Sequence, residues 1–246
     1  MKKILYVFSF ILLALGSCSK DDNAPAVSLN PNTLLLKKTV SRNYAINSAE
    51  LVTTFWNYDG MKLLSTIDSN GFRRNYTYTG NLITKIEEIN GDFVQSYLLA
   101  YDEDRLVAIS GNQPETFDYN EDGTVTHKLY DSNATVQWTA IISFNNAEIS
   151  KIETTYADSF ATTYQYSYDN KFSPTKNITG FDKIYLTMHY PYGSYRNLTE
   201  RSYTDSDGVQ GEVTKAVDYN AVGFPIMIKS TDDQFIESFD TQLFYQ

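Results

Sequence analysis

The chain has 246 residues, with 20 Lys and Arg against 30 Asp and Glu, a formal charge of −10. That balance, without a Lys- or Arg-rich run beyond the first residues, argues against a phosphate-binding surface, so no nucleic-acid partner is expected. A single Cys excludes an internal disulfide and a multi-Cys zinc site, while 20 Tyr and 14 Phe favour strands.

In chain order, Met1-Lys2-Lys3 is a short basic segment and Ile4 to Leu15 an apolar run. The run is too short to span a ~30 Å hydrocarbon core, which needs roughly 20 residues, and has the length of a signal-peptide core. Leu15-Gly16-Ser17-Cys18 follows and resembles the bacterial lipobox. The resemblance implies lipid attachment to the Cys18 thiol and cleavage before it, making 1–17 a lipoprotein signal peptide. Ser19, Lys20, Asp21 and Asp22 resemble the export tag of Bacteroidetes-type surface lipoproteins, which implies display outside the outer membrane. Asn23 to Asn32, with Pro25, Pro31 and small polar residues, suits a linker, so 18–33 is expected to be a lipidated Cys and flexible tether.

From residue 34 onward, turn signals recur. One series has an aromatic anchor: Tyr58-Asp59-Gly60, Tyr78-Thr79-Gly80, Tyr101-Asp102, Tyr119-Asn120, Phe144-Asn145, Tyr168-Asp169, Tyr192-Gly193 and Tyr219-Asn220. Between these lie Asp68-Ser69-Asn70-Gly71, Asn90-Gly91, Ser110-Gly111, Asp131-Ser132-Asn133, Asp205 to Gly208 and Thr231-Asp232-Asp233. Asp, Asn and Gly accept positive φ and bond their own backbone, so each marks a hairpin turn.

The strands entering the anchored turns alternate with period two. Tyr76 and Tyr78 share a face, as do Tyr97, Leu99 and Tyr101; Trp138, Ala140, Ile142 and Phe144; Tyr164, Tyr166 and Tyr168; and Leu186, Met188, Tyr190 and Tyr192. The outgoing strands place apolar residues three apart, as in Leu64 and Ile67, Leu106 and Ile109, and Ile149 and Ile152. Either a bulge intervenes or both sheet faces are covered. Pro174 and Pro225 predict broken or edge strands.

Tyr101-Asp102-Glu103-Asp104-Arg105-Leu106 and Tyr119-Asn120-Glu121-Asp122-Gly123 resemble the YD repeats of Rhs-type bacterial proteins, in degenerate form. The resemblance implies stacked hairpins over about Leu34 to Gln246. It carries no toxin biology, since eight units are too few for a closed Rhs cocoon.

Little in the sequence points to catalysis. Asp118-x-Asn120-x-Asp122-Gly123 starts like a calcium loop, but position twelve is Leu129 where a bidentate Glu is needed, so it reads as a β-turn. His127 and His189 are isolated, and no metal site or other cofactor is expected. Trp56, Trp138 and Tyr195, if exposed, would offer a carbohydrate platform.

The expected fold is all-β: an antiparallel meander of repeated hairpins, up to about 16 strands, forming a large curved or rolled sheet over 34–246. Charged outgoing strands such as Thr84 to Glu88 argue against a transmembrane barrel. The expected function is a non-enzymatic cell-surface lipoprotein, bound to the membrane through its lipid anchor. Its binding or structural role at the outer membrane involves an extracellular ligand or outer-membrane partner that the sequence leaves unknown. The alternative is a carbohydrate-binding or carbohydrate-active accessory protein of a glycan-uptake system.

Overall fold

A computed structural model describes residues 29–44, 51–187, 193–232 and 238–246. Cys18 and the Ser19 to Asp22 signal therefore lie outside the described residues, as do His189 and Tyr192. The last tether residues are described and are not loose. Pro31 to Thr33 form a turn in which the Thr33 and Leu34 amides donate to the Asn30 carbonyl.

Sixteen strands follow one another in sequence: β1 (Leu36–Asn43), β2 (Leu51–Asp59), β3 (Lys62–Asp68), β4 (Arg73–Thr79), β5 (Leu82–Asn90), β6 (Phe93–Asp102), β7 (Arg105–Ser110) and β8 (Glu115–Tyr119). The second half comprises β9 (Val125–Tyr130), β10 (Val136–Asn145), β11 (Glu148–Tyr156), β12 (Ala161–Phe172), β13 (Arg196–Asp205), β14 (Gln210–Tyr219), β15 (Pro225–Asp232) and β16 (Ser238–Tyr245). Every strand pairs antiparallel with its sequence neighbours. The all-β hairpin meander stands, but the sheet is neither open nor simply rolled. β1 pairs with β16, Leu36 opposite Tyr245 through Asn43 opposite Phe239, and closes a barrel. Closure leaves no edge strand whose backbone groups would go unpaired.

The outgoing strands carry bulges. Tyr101 faces Leu106 while Ala100 faces Ala108, so Val107 is the extra residue. Leu64, Thr84, Ser150 and Ile226 occupy the same place in their hairpins. One inserted residue shifts the alternation, so residues three apart face the same side. Leu106 and Ile109 are thus both buried, as are Ile83 and Ile86. In β3 the inward pair is Leu63 and Thr66, and Leu64 is exposed.

The anchor tyrosines tie each hairpin to the previous strand. The hydroxyls of Tyr58, Tyr101, Tyr119 and Tyr245 donate to the carbonyls of Leu36, Ile83, Leu106 and Pro225, at 2.8 to 3.2 Å. Burial, the largest cause in each, raises the pKa of Tyr58, Tyr101 and Tyr119. Tyr58 and Tyr101 are part-buried rather than fully enclosed, and Tyr119 is exposed.

Two expected units behave differently. Tyr168-Asp169-Asn170 does not turn, because β12 runs through it to Phe172. The segment from Ser173 to Thr187, including Leu186, is not a strand pair. It turns inward and contains one 3-10 turn at Phe181–Lys183. A sixteen-stranded barrel encloses more space than wall side chains fill, and this insert plugs one end. Ile178, Phe181, Ile184 and Leu186 join Leu63, Ile83, Leu99, Phe117 and Ile142 in one buried cluster. Pro174 thus lies in the plug, and Pro225 opens an intact strand, β15.

Gly180, at φ +79°, lies so close to the wall that a Cβ would sit 2.7 Å from the Asn81 carbonyl oxygen. Only Gly fits such a backbone and such a gap. Glu148, 3 % exposed, holds the return of the plug to β13: its carboxylate accepts the backbone N–H groups of Ser194, Tyr195 and Arg196 at 2.8, 2.7 and 2.7 Å.

Side chains alternating with the buried ones point outward. They include Lys85 and Glu87 on β5, Lys128 on β9, Lys151 and Glu153 on β11, Glu200 on β13, Glu212 on β14 and Lys229 on β15. Thr, Ser and Gln fill part of the remainder, and Phe55, Leu64, Phe93, Val94, Leu98, Ile226 and Phe244 are exposed apolar residues on the strands. An outward Lys at a bilayer midplane would cost roughly 2–4 kcal/mol.

Two substitutions test this account by chemical denaturation. Tyr101→Phe should cost about 1 kcal/mol, the net worth of one hydrogen bond, and Tyr101→Ala about 2–4 kcal/mol. Glu148→Ala leaves the buried Ser194 amide and the part-buried Tyr195 and Arg196 amides unpaired and should cost about 2–3 kcal/mol; a smaller loss would mean the plug end is held mainly by its apolar cluster.

Candidate functional site

The two ends of the barrel differ. The aromatic-anchored turns, the plug and both described chain termini share one end; the Asp-, Asn- and Gly-rich turns after β3, β5, β7, β9, β11 and β13 share the other. On the plugged end, the Asn177 side-chain amide donates to the carbonyls of Pro31 and Leu34, both at 2.9 Å, so the chain enters the barrel against the plug. An open groove of about 580 Å3 crosses this end. Tyr195, Asp104, Asp182 and Lys183 line it, and Lys183 reaches Asp104 at 2.5 Å. The hydrogen bond to Asp104 raises the Lys183 pKa, and the same bond lowers that of Asp104.

Above the plug the interior becomes polar. Arg74 on β4 pairs with Glu88 on β5 at 2.5 Å, and the pair lines a small cavity with Tyr97, Leu99 and Thr187. Glu115 on β8 and His127 on β9 share a hydrogen bond of 2.7 Å between Oε2 and Nε2. The His127 ring stacks on Phe117 at 4.2 Å and meets the edge of Trp138 at 4.7 Å. At 2 % exposure it is out of reach of a substrate. Its role here is to satisfy a buried carboxylate.

The remaining wall, β12 to β14, has cations without partners. Arg201 faces inward opposite Tyr166 on one side and Val213 on the other. Lys215 lies two residues beyond Val213 on the same face, a diagonal of roughly 7–8 Å between Cα atoms. Tyr164 and Tyr203, with ring centroids 5.9 Å apart, form the next row, and the Arg201 guanidinium lies 5.7 Å from the Tyr164 ring. Among the described residues, neither Arg201 nor Lys215 makes an ion pair, and the buried Arg201 Nε has no hydrogen-bond partner. Burial, reinforced by the Arg201 charge, drives the Lys215 pKa down to about 8. Burial pushes Tyr166 up to about 12.

The sequence-derived site residues are only partly brought together. Trp56 and Trp138 point inward and are part-buried, so they form no outer platform; Tyr195, 43 % exposed, sits on the groove. The Asp118-to-Gly123 segment is a hairpin turn, with Asp122 Oδ1 accepting the Thr124 amide and hydroxyl. Among the described residues no group of three or more His, Cys, Asp or Glu is placed to hold a metal. Sequence reading missed Arg201 and Lys215. The signal was a Lys in phase with Val213, Val217 and Tyr219, where a core-facing strand calls for an apolar residue.

No family model and no curated protein matches the chain. Among solved structures it is similar to a porin-like protein from Bacteroides vulgatus ATCC 8482, at 11 % identity and a TM-score of 0.57, over 86 % of this chain and 98 % of that one. A porin-like protein from Bacteroides uniformis ATCC 8492 aligns over the same shares at 10 % identity and a TM-score of 0.46, too low to bear on the argument. The first likeness shows the barrel fold.

The buried Lys215 has a pH signature. Facing it are Arg201 and Tyr203 from β13, Tyr164 and Tyr166 from β12, and Asp232 from β15. Its folded pKa is depressed, so below about 8 it is charged in both states and folding bears the full desolvation cost. From about pH 8 to 10 the unfolded chain holds a proton the folded chain has released, and stability rises with pH. Denaturation of the wild type and of Lys215→Met across this window should show a difference that shrinks as pH rises, with the variant more stable at pH 7. A pH-independent difference would place the Lys215 ammonium in water.

Proposed function

We propose that this chain is a non-enzymatic, lipid-anchored binding barrel of the outer membrane, held by Cys18, displayed on the cell exterior, with its wall in water. The observation that carries the reading is the outward ring of charged side chains, from Lys85 and Glu87 through Lys151 and Glu153 to Lys229. A barrel with such a wall needs another means of staying at a membrane, and Leu15-Gly16-Ser17-Cys18 supplies it. The barrel fold is in keeping with this reading.

The anchor also sets an orientation. Cys18 to Leu29 spans at most roughly 40 Å when extended, and the chain then docks on the plug through Asn30 to Leu34. The plugged end accordingly faces the membrane, and the Asp-, Asn- and Gly-rich turns face away from it. A carbohydrate-binding accessory role is the second reading, favoured by the exposed Tyr195 ring beside Asp104, Asp182 and Lys183 on the groove.

Cell fractionation tests the proposal. The protein should stay with membranes in high salt, because a lipobox Cys carries more than one acyl chain and two or more hold a protein stably. Cys18→Ser should release it to the soluble fraction or leave it uncleaved. Replacing Lys20, Asp21 and Asp22 by Ala should keep attachment and lose access to external protease. A parent protein that resists protease until cells are broken would make it periplasm-facing.

A further inference from the structure

Among the described residues, two lumen-facing cations make no ion pair, with Asp232 of the neighbouring strand on the same inner face. Elsewhere in the middle layer lumen-facing side chains are partnered: Arg74 pairs with Glu88, and His127 shares a hydrogen bond with Glu115. A buried charge is costly unless it is paired, and a buried donor left unbonded costs about 1–3 kcal/mol. Both bear the first cost and the Arg201 Nε bears the second, on adjacent strands, in a chain whose net charge is −10.

The buried side-chain atoms without a hydrogen-bond partner among the described residues are Trp56 Nε1, Thr162 Oγ1, Ser194 Oγ, Asn197 Oδ1 and Arg201 Nε, and both cations of this wall are donors only. The indole Nε1 of Trp56, also buried and unpartnered, is a third donor. Trp56 and Val217 pack against the same cluster of Leu36, Ile228 and Leu243, and Val217 follows Lys215 by two residues on the same face of β14. A guanidinium presents a planar fork that matches an oxyanion, and an ammonium adds a point charge beside it. Tyr164, Tyr166 and Tyr203 supply ring faces next to that fork.

We propose that the β12–β14 wall of the lumen is a binding site for a small oxyanion-bearing ligand, with Arg201 and Lys215 holding its anionic group and Tyr164 and Tyr203 its body. This deepens the binding-barrel reading and rests on it. Binding would supply the missing acceptor. The shared chemistry is the oxyanion: a free ion such as sulfate carries it alone, whereas an acidic sugar carries it on a ring suited to the tyrosines.

Calorimetric titration of the full chain in detergent at pH 7 tests this with three probes at matched ionic strength: galacturonate, galactose and sulfate. Galacturonate should bind and galactose should not. Weaker sulfate binding than galacturonate assigns the tyrosines a part, and equal binding assigns the affinity to the cations alone; either supports the site. Lys215→Met and Arg201→Gln should each lower galacturonate affinity at least tenfold, while Lys229→Met on the outer wall should leave it unchanged. Lys215→Met removes a desolvated charge, so it should fold, and its melting curve confirms that. Binding of galactose equal to galacturonate, full affinity in Lys215→Met, or no binding of either anion overturns the proposal. Loss of binding with membrane attachment intact would overturn this inference alone. Release of the wild type from membranes would instead overturn the anchor.

Discussion

The barrel has to fill the space it closes around. A short meander could bury one face against another layer, but sixteen strands joined β1 to β16 surround a lumen that wall side chains do not reach across. The chain answers by diverting Ser173 to Thr187 inward. Phe181 and Ile184 then complete a core begun by Leu63, Ile83, Leu106 and Phe117. Gly180 is needed where this insert passes the wall, and Glu148 where it leaves. The apolar half of the interior therefore depends on a segment that belongs to no strand.

Bulges and tyrosines are the wall's counterpart to that constraint. A bulge in each of five outgoing strands puts two apolar side chains, or an apolar residue and a buried Thr, on the inner face within four residues. That concentrates inward bulk at the plugged end. Tyr58 and Tyr101 end two of the strands entering such bulges, and Tyr119 and Tyr245 end two further strands; each hydroxyl caps a carbonyl one strand back. Tyr78 extends the scheme to the plug, accepting the Leu63 amide and donating to the Thr179 carbonyl. The aromatic ladder is thus a set of links between neighbouring hairpins. At the other end the same alternation brings polar groups inside, and there charge pairing governs the interior.

Much of this was legible in the chain. Period-two alternation in Tyr97-Leu99-Tyr101 and in Trp138 to Phe144 placed those side chains on the inner face, where they lie. The turns at Asp59-Gly60, Asp102-Glu103 and Asn145-Asn146 fall where Asp, Asn and Gly indicated them, with Glu103, Asn146 and Ala147 adopting positive φ. The three-residue spacing of Leu106 and Ile109 left two explanations open because spacing cannot tell a bulge from a two-faced strand; the register across to Tyr101 can. Tyr168-Asp169-Asn170 misled because the triplet lies at an irregularity inside β12, between Tyr168 opposite Leu198 and Phe172 opposite Arg196, and the strand resumes there instead of reversing.

By itself the sequence determined that the chain alternates, turns and pairs locally, since side-chain period and turn chemistry act within a few residues. It also set the net charge and the chemistry of the segment around Cys18. Only the tertiary structure decided that Leu36 meets Tyr245 and closes the sheet, that Ser173 to Thr187 goes inside, and that Arg201 and Lys215 face the lumen on adjacent strands and make no ion pair among the described residues. Closure, filling and charge balance depend on residues up to two hundred positions apart, such as Ser41 and Thr241, and no local preference encodes which distant group will stand opposite.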